Sequence, residues 1–386
     1  MDNLSMRYEN VGMEEVNYQF KVLYAIGIVF VVMGHCTNAG LGLFTDWFHI
    51  YSFHLGLFVF CSGYFYKDIS HKNILMYIKK KIRTLIIPLY AWNVVYAVVV
   101  NISMRFGFTM GKGISLSTLL VEPITTGHQF IYNLGGWFVI PLFMIEVFNV
   151  IVRKLIDLAA DRKQHNKSTE VFICIFYLVL GISGNYLARK GLNTGGWLVL
   201  VRMLHFLPFF GIGTIYKRVF ERYDTISNTL YFTGVISVQL LIMLIYGKLP
   251  AYSQAWCNTF TEGSILPIVE GCLGIAFWLR IAKVIEPILG HNRFVLLIAN
   301  NTFSIMIHQF LGFMFIKTLF AVLHMVGYCA DFNWEAYKTD IWYYYFPKGM
   351  YQVGILYIIA GLFFPIAVKA FCLKVKSNFK FHKISG

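Results

Sequence analysis

The residues whose type and setting could do chemistry are two histidines, a run of lysines and one intramembrane arginine. His35 closes FVVMGHC after a stretch that is apolar from Val22 to Met33, and His54 lies inside IYSFHLGLFVFCSGYFYK (50–67). Lys79, Lys80, Lys81 and Arg83 crowd together just before IIPLY, and Arg202 shares WLVLVRMLHFLPFF with His205. An imidazole, with an ordinary pKa of about 6.5, suits proton transfer near neutrality. A basic cluster beside a span satisfies topology, touches anionic lipid or clamps the phosphates of a cytoplasmic anion such as coenzyme A. Arg202 has two readings: a ligand for donor phosphate, or an ion-pair partner of Glu146 or Glu270. The combined chemistry would be removal of a proton next to a phosphate-bearing donor.

Those residues have to be positioned by membrane spans. The chain has 386 residues, 58% hydrophobic and only 13% charged, with a mean hydropathy of +0.62, whereas a soluble domain carries roughly a quarter charged residues. So few charges cannot cover a soluble core of this size. Windows of about 20 apolar residues fall near 22–42, 50–66, 85–104, 135–152, 171–188, 197–216, 228–247, 264–282, 299–322 and 350–371. The expected fold is all-α, a polytopic membrane protein with about ten transmembrane helices. With both termini in the cytoplasm, 24 of the 33 basic residues lie inside, 8 lie outside and Arg202 falls within a span. That bias is what the positive-inside rule demands, so the layout reads N-in and C-in. The net charge of +14 is thereby assigned to topology, not to nucleic acid. The expected organisation is a cytoplasmic segment 1–21, a membrane domain 22–371 and a basic cytoplasmic tail 372–386. No cleavable leader is expected before Val22, and no further domain after the tenth span.

Helical geometry places His35 relative to its neighbours. At 100° and 1.5 Å per residue, Tyr24 lies eleven positions earlier and about 20° away, and Lys21 fourteen positions earlier and about 40° away. The three form one polar stripe, with a base at one end and a cation at the other. The stripe serves a pathway, or else His35 simply satisfies a hydrogen bond to a neighbouring helix. The loop HMVGYCADFNWEAYKTDIWYYYFPKG (324–349) is dense in aromatics, which fits an interfacial belt or a stacking surface for sugar rings. Seven cysteines show no metal spacing, so no metal site is expected. Cys257 and Cys329 share the outer side and could pair.

SFHLGLFVFCSGYFYK resembles the second-span signature of the integral-membrane acyltransferase 3 family, the O-acyltransferases that decorate cell-surface glycans. FKVLYAIGIVFVVMGHC resembles the family's first span, and Lys80-Lys81-Ile82-Arg83 its basic cytoplasmic motif. NLGGWFVIPLF (133–143), LHFLPFFGIGTIYKR (204–218) and NNTFSIMIHQF (300–310) resemble further segments in the same order. One departure stands out. The family usually carries Arg or Lys eleven positions before the histidine and often an acid three positions earlier; here those positions hold Tyr24 and Lys21.

The resemblance implies transfer of an acyl group, acetyl in the commonest case, from cytoplasmic acetyl-CoA to a hydroxyl of a cell-surface or lipid-linked glycan. His35 would act as base or as acyl carrier. His54, Ser62 or Tyr24 would supply oxyanion donors. Lys80 and Arg83, with Lys79, Arg202 and Lys21 as further candidates, would hold the donor. Acyl-CoA is then a substrate and no cofactor is bound permanently. The partners are membrane lipids and the glycan, and the place is the plasma membrane of a bacterium. The rival reading is an exporter or flippase of polysaccharide or lipid-linked sugar without acyl transfer, for which broken spans and Arg202 would serve as well. A small cytoplasmic acceptor is a third reading.

Overall fold

The computed structural model describes residues 16–36, 47–160 and 167–382, with side chains to Ala159 in the second stretch and Lys374 in the third. Arg7, Arg162, Lys163, Lys383 and the expected extension of the first span over 37–42 lie outside the described residues.

Among the described residues, helices of 15 residues or more fall on the ten apolar windows, one on each. They are α1 (Tyr18–His35), α2 (Ile50–Tyr64), α3 (Ile87–Met104), α4 (Val139–Ala160), α5 (Lys167–Arg189), α6 (Gly195–Ile215), α7 (Asn228–Tyr246), α8 (Leu266–Leu289), α9 (Thr302–Met325) and α10 (Gly354–His382). No strand occurs among the described residues, as expected where the surroundings cannot satisfy an open sheet edge. Among the described residues, eight helical segments are long and apolar enough to cross a membrane. At 15 residues α2 is shorter, and α8, which carries Glu270, Arg280, Lys283 and Glu286, falls outside that set. This is an all-α, multi-pass membrane protein.

Local sequence sets the helix starts. The Asn17 side chain accepts from the Phe20 amide at 3.1 Å and caps α1, and the His49 ring accepts from the Tyr51 amide at 3.3 Å at the head of α2; such caps satisfy amides that have no partner within the helix. Burial then sorts the helices. α6 is the most buried and α7 the most peripheral. α2 and α6 cross at Gly63 and Gly213: a Cβ on the first would collide with the Phe210 carbonyl, and one on the second with the Phe60 carbonyl. Only glycine permits that approach. It holds α2, and with it His54, rigidly against the central helix.

Ionic contacts knit the end of the molecule that carries the lysines. Arg153 on α4 is fully buried and grips Glu170 on α5 through both terminal nitrogens, at 2.7 and 2.8 Å. Arg218, just past α6, reaches the same carboxylate at 2.7 Å and Asp68 at 2.5 Å. Arg153 therefore does more than bias topology.

Candidate active site

Two cavities lie toward opposite ends of α1 and α2. The histidine cavity, about 550 Å³, is lined by His35, His54, His128, Tyr252, Gln254 and aromatic and apolar side chains that include Trp137 and Trp342. The lysine cavity, about 1010 Å³, is lined by Tyr24, Ser62, Tyr64, Tyr77, Lys80, Lys81, Glu146 and Lys217. They share no lining residue.

His35 ends α1 half-buried, with Nδ1 3.2 Å from Gln309 Oε1 on α9. The Gln309 amide nitrogen donates to the Met306 carbonyl at 3.2 Å, which orients Oε1 as the acceptor. His35 Nδ1 therefore carries the hydrogen, and Nε2 keeps the lone pair that a general base needs. Trp342 stacks on the ring at 6.0 Å between centroids and Phe310 flanks it at 5.1 Å. The backbone beneath is pinned as well: the Tyr344 hydroxyl donates to the His35 carbonyl at 2.6 Å and the Tyr51 hydroxyl to the Gly34 carbonyl at 2.5 Å.

His54 joins His35 in the cavity, but with its Nδ1 2.7 Å from the Ile50 carbonyl. In the neutral ring, Nε2 is then an acceptor and cannot donate to an oxyanion. Tyr24 and Ser62 line the other cavity. Tyr24 stands eleven residues from His35, about 16 Å along the helix, so neither it nor Ser62 meets a group reacting at His35. Tyr252 lines the correct cavity, but its hydroxyl is closed off from it and has no hydrogen-bond partner among the described residues.

His128 lines the same cavity, stacked on Trp256 at 4.5 Å, with Nδ1 2.6 Å from the Thr126 carbonyl. Burial, aided by the positive charge of Arg202, pushes its pKa down to about 4. A depressed folded-state pKa gives stability that is complete above the unfolded value and is lost as pH falls. Acid destabilisation is therefore expected between pH 6.5 and about 4. His128→Gln should flatten that part of the pH dependence of the thermal midpoint.

Arg202 does not join Lys80 and Arg83. It donates to the Ala255 carbonyl at 2.8 Å through Nε and to the Thr126 carbonyl at 3.2 Å, and it lies 4.5 Å over Trp137. It thus fastens the loop of His128 to the loop of Gln254 and Trp256, and no carboxylate pairs with it among the described residues. Glu146 takes Lys81 at 2.6 Å together with the Tyr77 hydroxyl, and Glu270 takes Gln239 at 3.1 Å.

Of the basic cluster, Lys80 and Lys81 face the lysine cavity, while Lys79 and Arg83 are exposed and line neither cavity. Lys21 bonds Asn300 at 2.6 Å and also lines neither, so the stripe with Tyr24 and His35 does not form a single channel. Lys217, which the sequence offers only as a topological charge, lines the lysine cavity. His205 bonds Asn185 at 2.9 Å and His308 bonds Tyr96 at 2.6 Å, both as buried interhelical contacts. Cys257 and Cys329 are free thiols. No cluster among the described residues could hold a metal ion.

A helical membrane bundle that holds a half-buried imidazole at one end and a cluster of lysine side chains at the other has the layout of a group-transfer protein with separate pockets for two substrates. The chain belongs to the acyltransferase 3 family: the family model, described as an acyltransferase domain, matches residues 17–374. No curated protein and no solved structure matches the chain. The protein is therefore a membrane acyltransferase, and export without group transfer gives way to that activity.

Proposed function

We propose that the protein O-acetylates a cell-surface or lipid-linked glycan with acetyl-CoA as donor. The observation that carries this reading is the histidine cavity itself: His35 Nε2 offers a lone pair in a space walled by aromatic rings, with no Asp, Glu, Lys or Arg in its lining. Sugar rings present apolar faces to aromatics and many hydroxyls to acceptors, whereas a phosphate or carboxylate would find no counter-charge there. The lysine cavity opens to the cytoplasm in this reading, with ten spans, both termini inside and the protein in a bacterial plasma membrane. Residues 22–371 form the single membrane domain.

Donor phosphates bind Lys80 and Lys81, the latter leaving Glu146. The acyl-bearing arm crosses about 10 Å between Tyr24 and Val31, seven residues along α1, and the α1–α2 packing at Gly27 opens for it. The acceptor hydroxyl gives its proton to His35 Nε2 while its oxygen attacks the thioester carbonyl carbon. The carbon–sulfur bond breaks, the ester is released, and the departing thiolate takes the proton back from the imidazolium.

Mass spectrometry of surface glycan from cells with and without the protein tests this: an acetyl ester is expected only where the protein is present. In the purified enzyme, Lys80→Ala should raise the KM for acetyl-CoA roughly tenfold, the worth of one charge-assisted contact, and leave the acceptor KM unchanged. Unaltered glycan, or a Lys80 variant with wild-type donor KM, overturns it.

A further inference from the structure

Lys317 on α9 is an amine with no exposure at all, and it makes no ion pair among the described residues. Its ammonium donates to the Ile341 carbonyl and lies 4.5 Å over the Tyr344 ring. A lysine that can snorkel ordinarily does so, so an ammonium kept wholly inside is costly and needs a reason. Packing is not one, because a methionine would fill the same space.

The reason lies in what the ammonium holds. Ile341 sits in an irregular strap between the short helix Trp334–Thr339 and α10, where no ladder satisfies its carbonyl. The next residue, Trp342, is the ring stacked on His35, and its amide is held by Asp340 at 2.8 Å. Tyr344, under the ammonium, carries the hydroxyl that bonds the His35 carbonyl. Ile341 and Trp342 both line the histidine cavity. One buried charge thus touches the strap on either side of the tryptophan that roofs the imidazole.

We infer that Lys317 is a positioning residue, a clamp that holds the strap so that Trp342 closes the histidine cavity and selects the acceptor. The kinetic consequence rests on the acyl-transfer reading above; the clamp itself does not. Cys36, fully buried and an electrostatic neighbour of both Lys317 and Tyr344, reports on it independently.

The experiment uses the full-length purified protein. Maleimide labelling of Cys36, mapped by peptide mass spectrometry, should rise at least tenfold in Lys317→Met, since the strap no longer seals the thiol. With acetyl-CoA and a neutral oligosaccharide, the same variant should raise the acceptor KM about tenfold, the loss of one aromatic contact, and leave the donor KM within twofold. Trp342→Ala should match that kinetic change, and the double variant should be no worse than either single one. If Lys317→Met does not accumulate, Tyr344→Phe decides by the same two readouts. Wild-type labelling overturns the clamp. Additive losses in the double variant show that Lys317 does not act through Trp342 and overturn the selector role. Raised labelling in a protein that acetylates nothing keeps the clamp and sinks only the acyl-transfer reading.

Discussion

His35→Gln is expected to lower acyl transfer by about 10²- to 10⁴-fold, the range associated with losing a positioned general base, with the donor KM unchanged. The amide keeps a polar group of similar length beside Gln309 but offers no basic nitrogen to the acceptor. Donor binding should survive because the lysine cavity lies at the other end of α1 and shares no lining residue with the histidine cavity. His54→Gln is the control from the same cavity: its ring is anchored to the Ile50 carbonyl, and it should change turnover less than His35→Gln does. Labelled acetyl-CoA, incubated without acceptor, separates the two roles open to His35. Label retained on the protein and lost in His35→Gln identifies an acyl carrier; no retained label identifies a base. If His35→Gln transfers within threefold of wild type, neither role stands.

Much of the architecture is legible in the sequence, and the reasons can be named. Eight helical segments among the described residues are apolar runs of the length a bilayer sets, and the shorter α2 and the charged α8 fall on their windows too. The helix ends move by a few residues; α1 stops at His35 and α4 runs on to Ala160, because caps and packing, not hydropathy, end a helix. His35 is legible as an unusual polar group in such a run. The rise of eleven helical residues separates Tyr24 from His35, and it removes Tyr24 from the oxyanion donors that the resemblance implies.

What does not show is convergence. His128, Tyr252, Gln254 and Trp342 come from three separate loops, which Arg202 and Lys317 contact through their backbone carbonyls. A contact between a side chain and a distant backbone oxygen leaves no periodic or motif signal. The same holds for Arg202, whose intramembrane charge marks it as important without saying that backbone carbonyls are among its partners. Lys79 and Arg83 differ from Lys80 only in which way they face, and in a short helix followed by a wide turn at Ile82–Ile86 that direction is not fixed by counting residues.

The largest stability effect is expected at Glu170, and it should exceed the effect at Arg153. Both are buried, at 2% and 0% exposure, yet their partners are unequal. Removing Arg153 as Arg153→Met leaves Glu170 still bonded to Arg218 at 2.7 Å, so the remaining charge keeps a counter-charge. Removing Glu170 as Glu170→Leu strips Arg153 of both its carboxylate contacts, leaves it the neutral Asn149 at 3.0 Å and the face of Tyr66, and deprives Arg218 of one of its two acids. An uncompensated buried charge costs about 3–5 kcal/mol, and the Glu170 variant should approach that range. The Arg153→Met/Glu170→Leu double variant should recover part of the loss, because no orphaned guanidinium then remains in the core. Thermal midpoints of the detergent-purified variants, read as loss of the monodisperse peak on size exclusion, rank the three. Should Arg153→Met prove the weaker protein, the second arginine is not carrying the charge, and Arg218 serves only to hold Asp68.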